Sequence, residues 1–186
     1  MVKRLIGAAL VLLLVVPAIG SAMDMSGKYA LGYFHSDAPV GIRYWLQPNL
    51  GIDLGFGFEA KDVTVGNDKE TATSFWIDAG LPYVIMDTER ANFFVRPGFM
   101  LSILDDRTYD PEGFTATSYD ETWTNMAITL TPGAEVFFGN NFSLEAGHGV
   151  KVNIMSPPDQ VSDQSYTTIS TFDASVTYLG FHFYFK

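Results

Sequence analysis

The chain has 186 residues, no cysteine and a formal net charge of −10 at pH 7. That length suits one domain, the absence of thiols excludes disulfides and thiolate metal sites, and an acidic surface argues against nucleic acid as a partner. Aromatics make up 15% of the residues and there are 17 glycines, a mixture found in soluble β-sandwiches and in membrane β-barrels alike, so periodicity has to separate them.

The first 22 residues read as a cleaved export signal. Lys3 and Arg4 form a positive start, Leu5 to Ile19 is an apolar run, and Gly20-Ser21-Ala22 supplies the small residues of a cleavage site. The run is shorter than the roughly 20 residues of a spanning helix. Cleavage leaves a domain over 23–186, and losing Lys3 and Arg4 takes its charge from −10 to −12.

After residue 22 the apolar pattern has period two, the mark of half-buried strands. A first short strand falls near Lys28 to Phe34. In the second, Val40, Ile42, Tyr44 and Leu46 alternate with Gly41, Arg43 and Trp45. In the third, Ile52, Leu54, Phe56, Phe58 and Ala60 share one face, and Gly51, Asp53, Gly55, Gly57 and Glu59 the other. A polar face made largely of glycine suits the crowded inside of a narrow barrel better than the solvated side of a sandwich. Phe75 to Ile85 forms the fourth strand, with Trp76, Asp78 and Gly80 on its polar side, and Phe93 to Ile103 the fifth, with Arg96, Gly98 and Ser102. Met126 to Phe138 (polar side Thr129, Thr131, Gly133, Glu135) and Phe142 to Ile154 (Ser143, Glu145, Gly147, Lys151) follow. The eighth ends with Leu179, Phe181, Phe183 and Phe185 on one face. His148 lies on an apolar face, and Asp173 shares parity with Phe185, which points to a bulge near residue 175.

Short connections at 47–49, 86–91 and 139–141 alternate with longer polar ones at 62–71, 105–122 and 156–168, and only the first, 35–39, is brief. With both termini on one side, the longer connections all fall on the other, the arrangement of an outer-membrane barrel with short periplasmic turns. Tyr29, Tyr33, Tyr44, Trp45, Trp123 and Tyr184 cluster at strand ends, as interfacial girdles would.

The hairpin Gly41-Ile42-Arg43-Tyr44-Trp45-Leu46-Gln47-Pro48-Asn49-Leu50-Gly51-Ile52-Asp53-Leu54-Gly55 and the terminus Phe181-His182-Phe183-Tyr184-Phe185-Lys186 resemble the OmpA/OmpX-type family of small outer-membrane β-barrels. The resemblance, a pattern over residues 27–186, implies an eight-stranded antiparallel up-and-down transmembrane barrel in the cell outer membrane. It implies contact with membrane lipid and lipopolysaccharide. It also makes Phe181, Phe183 and Phe185 a signal for the barrel-assembly machinery, although the family pattern ends on the aromatic and this chain continues to Lys186. It specifies a fold and an address rather than a function.

No catalytic, cofactor-binding or metal-binding set is read from the residues. His35, Ser36 and Asp37 are adjacent in an outer connection, and neighbours on a strand point to opposite faces, so they read as a solvated turn rather than a triad. His148 reads as an irregularity of its strand rather than a catalytic or metal-binding residue. Asp105, Asp106, Asp110, Glu112, Asp120 and Glu121 share one connection and read as a solvated loop, with no calcium-binding spacing. The specific expectation is a lumen charge network of Arg43, Asp53, Asp78, Arg96, Glu135, Glu145, Lys151 and His182. Arg43 and Asp53 should sit opposite each other, as should Glu135 and Glu145. At about 3.4 Å per residue these four, with Arg96 and His182, share a level roughly 14–17 Å above the short turns, Asp78 lies higher and Glu59 and Lys151 higher still.

The expected function is an integral outer-membrane barrel without enzymatic activity or cofactor. Its lumen is closed by ion pairs, and its outer loops have a structural or surface-interaction role towards lipopolysaccharide, a host surface or a partner protein. The alternatives are a narrow channel or transport protein for small or hydrophobic solutes, a lipid-modifying enzyme, and a soluble periplasmic ligand-binding barrel.

Overall fold

The computed structural model describes residues 24–65, 68–105, 122–156, 165–171, 173 and 175–185. The proposed export signal and the middles of the connections at 106–121 and 157–164 lie outside the described residues. So do Asp106, Asp110, Glu112, Asp120 and Glu121.

Among the described residues eleven strand segments follow one another: β1 (Tyr29–Tyr33), β2 (Val40–Gln47), β3 (Leu50–Val65), β4 (Asp68–Gly80), β5 (Tyr83–Asp87), β6 (Ala91–Asp105), β7 (Thr122–Phe137), β8 (Phe142–His148), β9 (Val150–Ser156), β10 (Tyr166–Ser170) and β11 (Thr177–Phe185). They make eight barrel strands, because β4–β5, β8–β9 and β10–β11 are each one strand interrupted. Every pairing is antiparallel, and the sheet closes where β1 pairs with both β2 and β11: Tyr29 stands opposite Tyr44 on one side and Phe185 on the other.

The interruptions have local causes. Pro82 has no N–H to give, and the chain holds its place there through Leu81 N–H donating to Pro97 O and Gly51 N–H donating to Pro82 O, both 2.9 Å. The irregularity near residue 175 is larger than a single-residue bulge. Tyr166 pairs with Met155 and Thr177 with His148, so one strand advances 11 residues while its neighbour advances 7. The four extra residues fall between Ser170 and Thr177, the stretch that carries Asp173.

Burial is inverted relative to a soluble domain. Ile42, Leu54, Phe56, Phe58, Ile77, Phe99 and Ile128 are all exposed around the outside. Arg43, Asp53, Asp78, Arg96, Glu135 and Glu145 are buried inside. A continuous exposed apolar belt around buried ions needs a solvent other than water. β3 and β7 have 16 residues each and β6 has 15. About 9–11 suffice to cross a membrane, so these strands project beyond it.

Three sequence expectations change. The connection expected at 62–71 is strand almost throughout: β3 and β4 stay paired up to Val65 and Asp68. Its alternating Thr and Val residues favour a ladder despite the polar composition. Asp105 is the last residue of β6 and is buried, its Oδ2 accepting from Thr73 N–H at 3.2 Å. It therefore does not belong to the solvated loop. Trp45, Trp123 and Tyr184 are buried inside the barrel and so belong to no girdle. Strand parity is the reason, since Trp45 shares the inward face of Arg43, and Tyr184 that of His182. Tyr29 and Tyr44 do face outward, and Tyr29 stacks on Phe185.

At the end of the short turns, Met25, Ala30, Trp45, Val84, Phe94, Phe137 and Tyr184 form an apolar cluster inside the lumen. The charged layer rests on this floor.

The buried charge network in the lumen

Arg43 and Asp53 occupy registered positions on β2 and β3. Both point inward because each strand alternates glycine or charge with outward apolar residues. The guanidinium grips the carboxylate at two points, Nε to Oδ1 at 2.6 Å and Nη2 to Oδ2 at 2.9 Å. Its remaining nitrogen spans the lumen: Nη1 donates to Glu145 Oε2 at 2.5 Å and to Glu135 Oε2 at 3.2 Å. Glu135 and Glu145 are themselves a registered pair on β7 and β8, two like charges side by side that need a shared cation.

Arg96, from β6, joins the other side. Its Nε donates to Asp53 Oδ2 at 2.8 Å and its Nη2 to Asp78 Oδ2 at 2.6 Å. Arg96 reaches them by crossing Gly80, where an added Cβ would lie 2.2 Å from the guanidinium carbon. Asp53 thus accepts from both arginines, and the six charged groups form one connected network fixed from six barrel strands. Neutral donors complete it: Ser143 and Tyr184 hydroxyls donate to Glu135 Oε1 at 2.5 and 2.7 Å, and Tyr178 donates to Glu145 Oε1 at 2.6 Å.

Lys151 and His182 behave differently from the rest. Lys151 stands apart, towards the outer end, where Nζ donates to Asp173 Oδ2 at 3.1 Å. Asp173 lies outside the strands. Burial would raise its carboxyl, but the Ser175 hydroxyl and backbone N–H, together with the Lys151 ammonium, outweigh that and hold it below the ordinary value. His182 is 1% exposed, and among the described residues neither ring nitrogen meets a partner at hydrogen-bond geometry. Its Nδ1 lies 3.4 Å from Glu135 Oε1 and 3.8 Å from Glu145 Oε2.

Sequence reasoning missed His35. It does not sit with Ser36 and Asp37 in a solvated turn. It is buried and turned into the lumen, with Nε2 3.2 Å from Asp78 Oδ2, while Ala38 N–H donates to Nδ1 at 3.3 Å. An Nδ1 that accepts leaves the proton on Nε2, so this histidine is a neutral donor to Asp78. Ser36 Oγ instead reaches Asp37 at 3.3 Å. Tyr178, Ser143 and Tyr184 were also missed, although parity with Gly180, His182 and Glu145 assigns all three to the inner face. His148 is exposed on the outside and meets Thr177 Oγ1 at 2.8 Å, a polar partner that lessens its cost on an apolar face.

Half-open recesses lie towards both ends of the barrel. One of about 370 Å³ towards the outer end is lined by Glu59, Trp76, Asn125, Lys151 and Asp173 among others. One of about 450 Å³ at the turn end is bordered by Asp24, Lys28, Asn140, Asn141, Tyr184 and Phe185.

A closed antiparallel ring with apolar residues outside and buried charges inside defines a transmembrane β-barrel. Residues 13–179 match the family described as outer membrane protein beta-barrel domain, and the chain belongs to that family. Neither a curated protein nor a solved structure matches it.

Proposed function

We propose that the protein is an integral outer-membrane barrel whose lumen is closed by its ion pairs and whose role is structural or exercised at the outer surface, without catalysis or a cofactor. The observation that carries this reading is the network itself. Arg43 and Arg96 tie Asp53, Asp78, Glu135 and Glu145 together across the lumen, and an apolar floor lies beneath them. Eight strands give an interior that side chains just fill. The β3–β4 hairpin and the connections at 106–121 and 157–164 are then the parts free to meet lipopolysaccharide, a host surface or a partner protein. The alternating aromatics Phe181, Phe183 and Phe185 on the last strand suit recognition by the barrel-assembly machinery, and residues 1–22 suit export through a cleaved signal.

The two cavities favour a second reading, a narrow conduit in which the network is the barrier between two vestibules. Conductance of the purified barrel in a planar lipid bilayer decides between them. A closed lumen gives no unitary current steps for the wild type. Regular steps at neutral pH would replace the structural reading with the conduit.

A further inference from the structure

We propose that Glu135, Glu145 and His182 form a divalent-metal site inside the barrel, with a donor set suited to Zn²⁺. This goes beyond the closed-lumen reading and does not depend on it.

The three residues come from three adjacent barrel strands. Glu135 on β7 is registered with Glu145 on β8. Glu145 is registered with Gly180 on β11, which makes His182 its diagonal neighbour on the same inner face. One ligand atom from each lies within 4.8 Å of the others. A tetrahedral metal with bonds of about 2.0–2.2 Å holds its ligand atoms roughly 3.3–3.6 Å apart. The separations of 3.4 and 3.8 Å from His182 Nδ1 to the two carboxylates are therefore within a small side-chain adjustment of that geometry.

Two independent observations point to a cation at this position. The first is His182, a buried imidazole with neither nitrogen at hydrogen-bond geometry to a described residue, its Nδ1 lying 3.4 Å from Glu135 Oε1. Leaving a buried polar group unmade costs free energy, and a ring nitrogen aimed between two carboxylates is placed to ligate. The second is charge. Four buried carboxylates, Asp53, Asp78, Glu135 and Glu145, face two buried guanidinium groups, Arg43 and Arg96, so the carboxylates of the layer outnumber its guanidinium groups by two. A divalent ion supplies the balancing charge.

The surroundings already orient the ligands. Tyr178 holds Glu145 through Oε1 and leaves Oε2 facing His182, the outer hydrogen bond that metal carboxylates use, while Ser143 and Tyr184 fix Glu135 through Oε1, the oxygen they would share with the ion. Arg43 touches both glutamates only through Nη1 and remains anchored to Asp53 through Nε and Nη2. It can therefore give way at the glutamates without losing its own partner. An oxygen and nitrogen set without sulfur suits Zn²⁺ rather than a soft ion such as Cu(I).

The test uses the full mature barrel. It is refolded into detergent in the presence of EDTA, dialysed, and titrated with ZnCl₂, with bound zinc measured by mass spectrometry and the unfolding midpoint followed in parallel. The site predicts one zinc per barrel and a rise in midpoint that saturates with it. His182→Asn should still refold, as its gel mobility shift will show, but lose both the zinc and the rise. His148→Asn, which alters the exposed histidine, should keep both. A wild-type barrel that takes up no zinc overturns the proposal whether or not the variants fold, and so does a folded His182→Asn barrel that takes up as much as wild type.

Discussion

Arg43 and Asp53 face each other across the β2–β3 hairpin, and the guanidinium closes on the carboxylate through two bonds of 2.6 and 2.9 Å while its third nitrogen reaches Glu135 and Glu145 on the far wall. One side chain thus neutralises parts of three carboxylates, each almost without solvent. Removing one partner of a buried pair costs about 3–5 kcal/mol, because the charge left behind has no water. Arg43→Ala should lose at least that much, read as a fall in the urea midpoint of the refolded barrel. Arg43→Lys should recover only part of it, since a single ammonium cannot repeat the two-point grip. A midpoint for Arg43→Ala within error of wild type would remove the network from the account of stability.

Gly80 tests the path of the second arginine. A methyl group there meets Arg96 Cζ at 2.2 Å and Nε at 2.3 Å, and the guanidinium is tied at both ends to Asp53 and Asp78, so it cannot step aside freely. Gly80→Ala should destabilise the barrel by about 1–3 kcal/mol, the usual cost of overpacking, measured in the same unfolding assay. The combination with Arg96→Ala should cost less than the sum of the two changes, because the clash and the side chain it strikes disappear together.

The outer face makes the opposite kind of prediction. Phe56 is 49% exposed, a level at which a surface substitution in water is nearly neutral, within about 0.5 kcal/mol. If that face meets lipid, Phe56→Arg should cost about 2–4 kcal/mol when placed near the middle of the membrane, measured as refolding equilibrium into lipid vesicles. A neutral result would mean that the face is solvated by water.

Asp173 carries a pH dependence with a definite sign. Its carboxyl is held below the ordinary value in the folded chain, so the ionised form favours folding. That contribution is present above the unfolded value of about 3.9 and is lost as pH falls through the lower folded value. The stability difference between wild type and Asp173→Asn should therefore be constant from neutral pH down to about 4 and shrink below it. A difference that stays the same through the acid range would contradict the clasp of Lys151, Ser175 and Asp173.

The parts of this architecture that were legible in the sequence are those set by strand parity. Arg43 with Asp53 and Glu135 with Glu145 follow from counting residues outward from a tight turn, because the register shift of the first hairpin is confined to Trp45–Gln47 and pairing is regular from Trp45 opposite Gly51 onward, as it is throughout β7–β8. Counting fails where the ladder is broken. The four extra residues between β10 and β11 turn Asp173 towards Lys151, and no local signal fixes the size of that insertion. His35 escaped for another reason. It follows β1 rather than lying within a strand, so alternation does not set its direction, and its place at Asp78 depends on a strand 43 residues away in sequence. Polar composition misled at residues 62–71, where projecting strands need no apolar face because they extend beyond the apolar belt. The aromatics were misassigned because their type was weighed above their parity. Trp45 and Tyr184 fill the floor of the lumen, joined by Trp45 Nε1 donating to the Tyr184 hydroxyl at 3.3 Å.

The central claim is a closed barrel seated in the outer membrane, and it is tested most directly by expressing the full chain in a Gram-negative host, isolating the outer-membrane fraction and comparing its gel mobility before and after boiling. The account predicts a band in that fraction that migrates faster unboiled than boiled, because the closed sheet resists detergent until heated. A soluble periplasmic protein whose mobility does not change on boiling would contradict it and make the outward apolar faces a buried core.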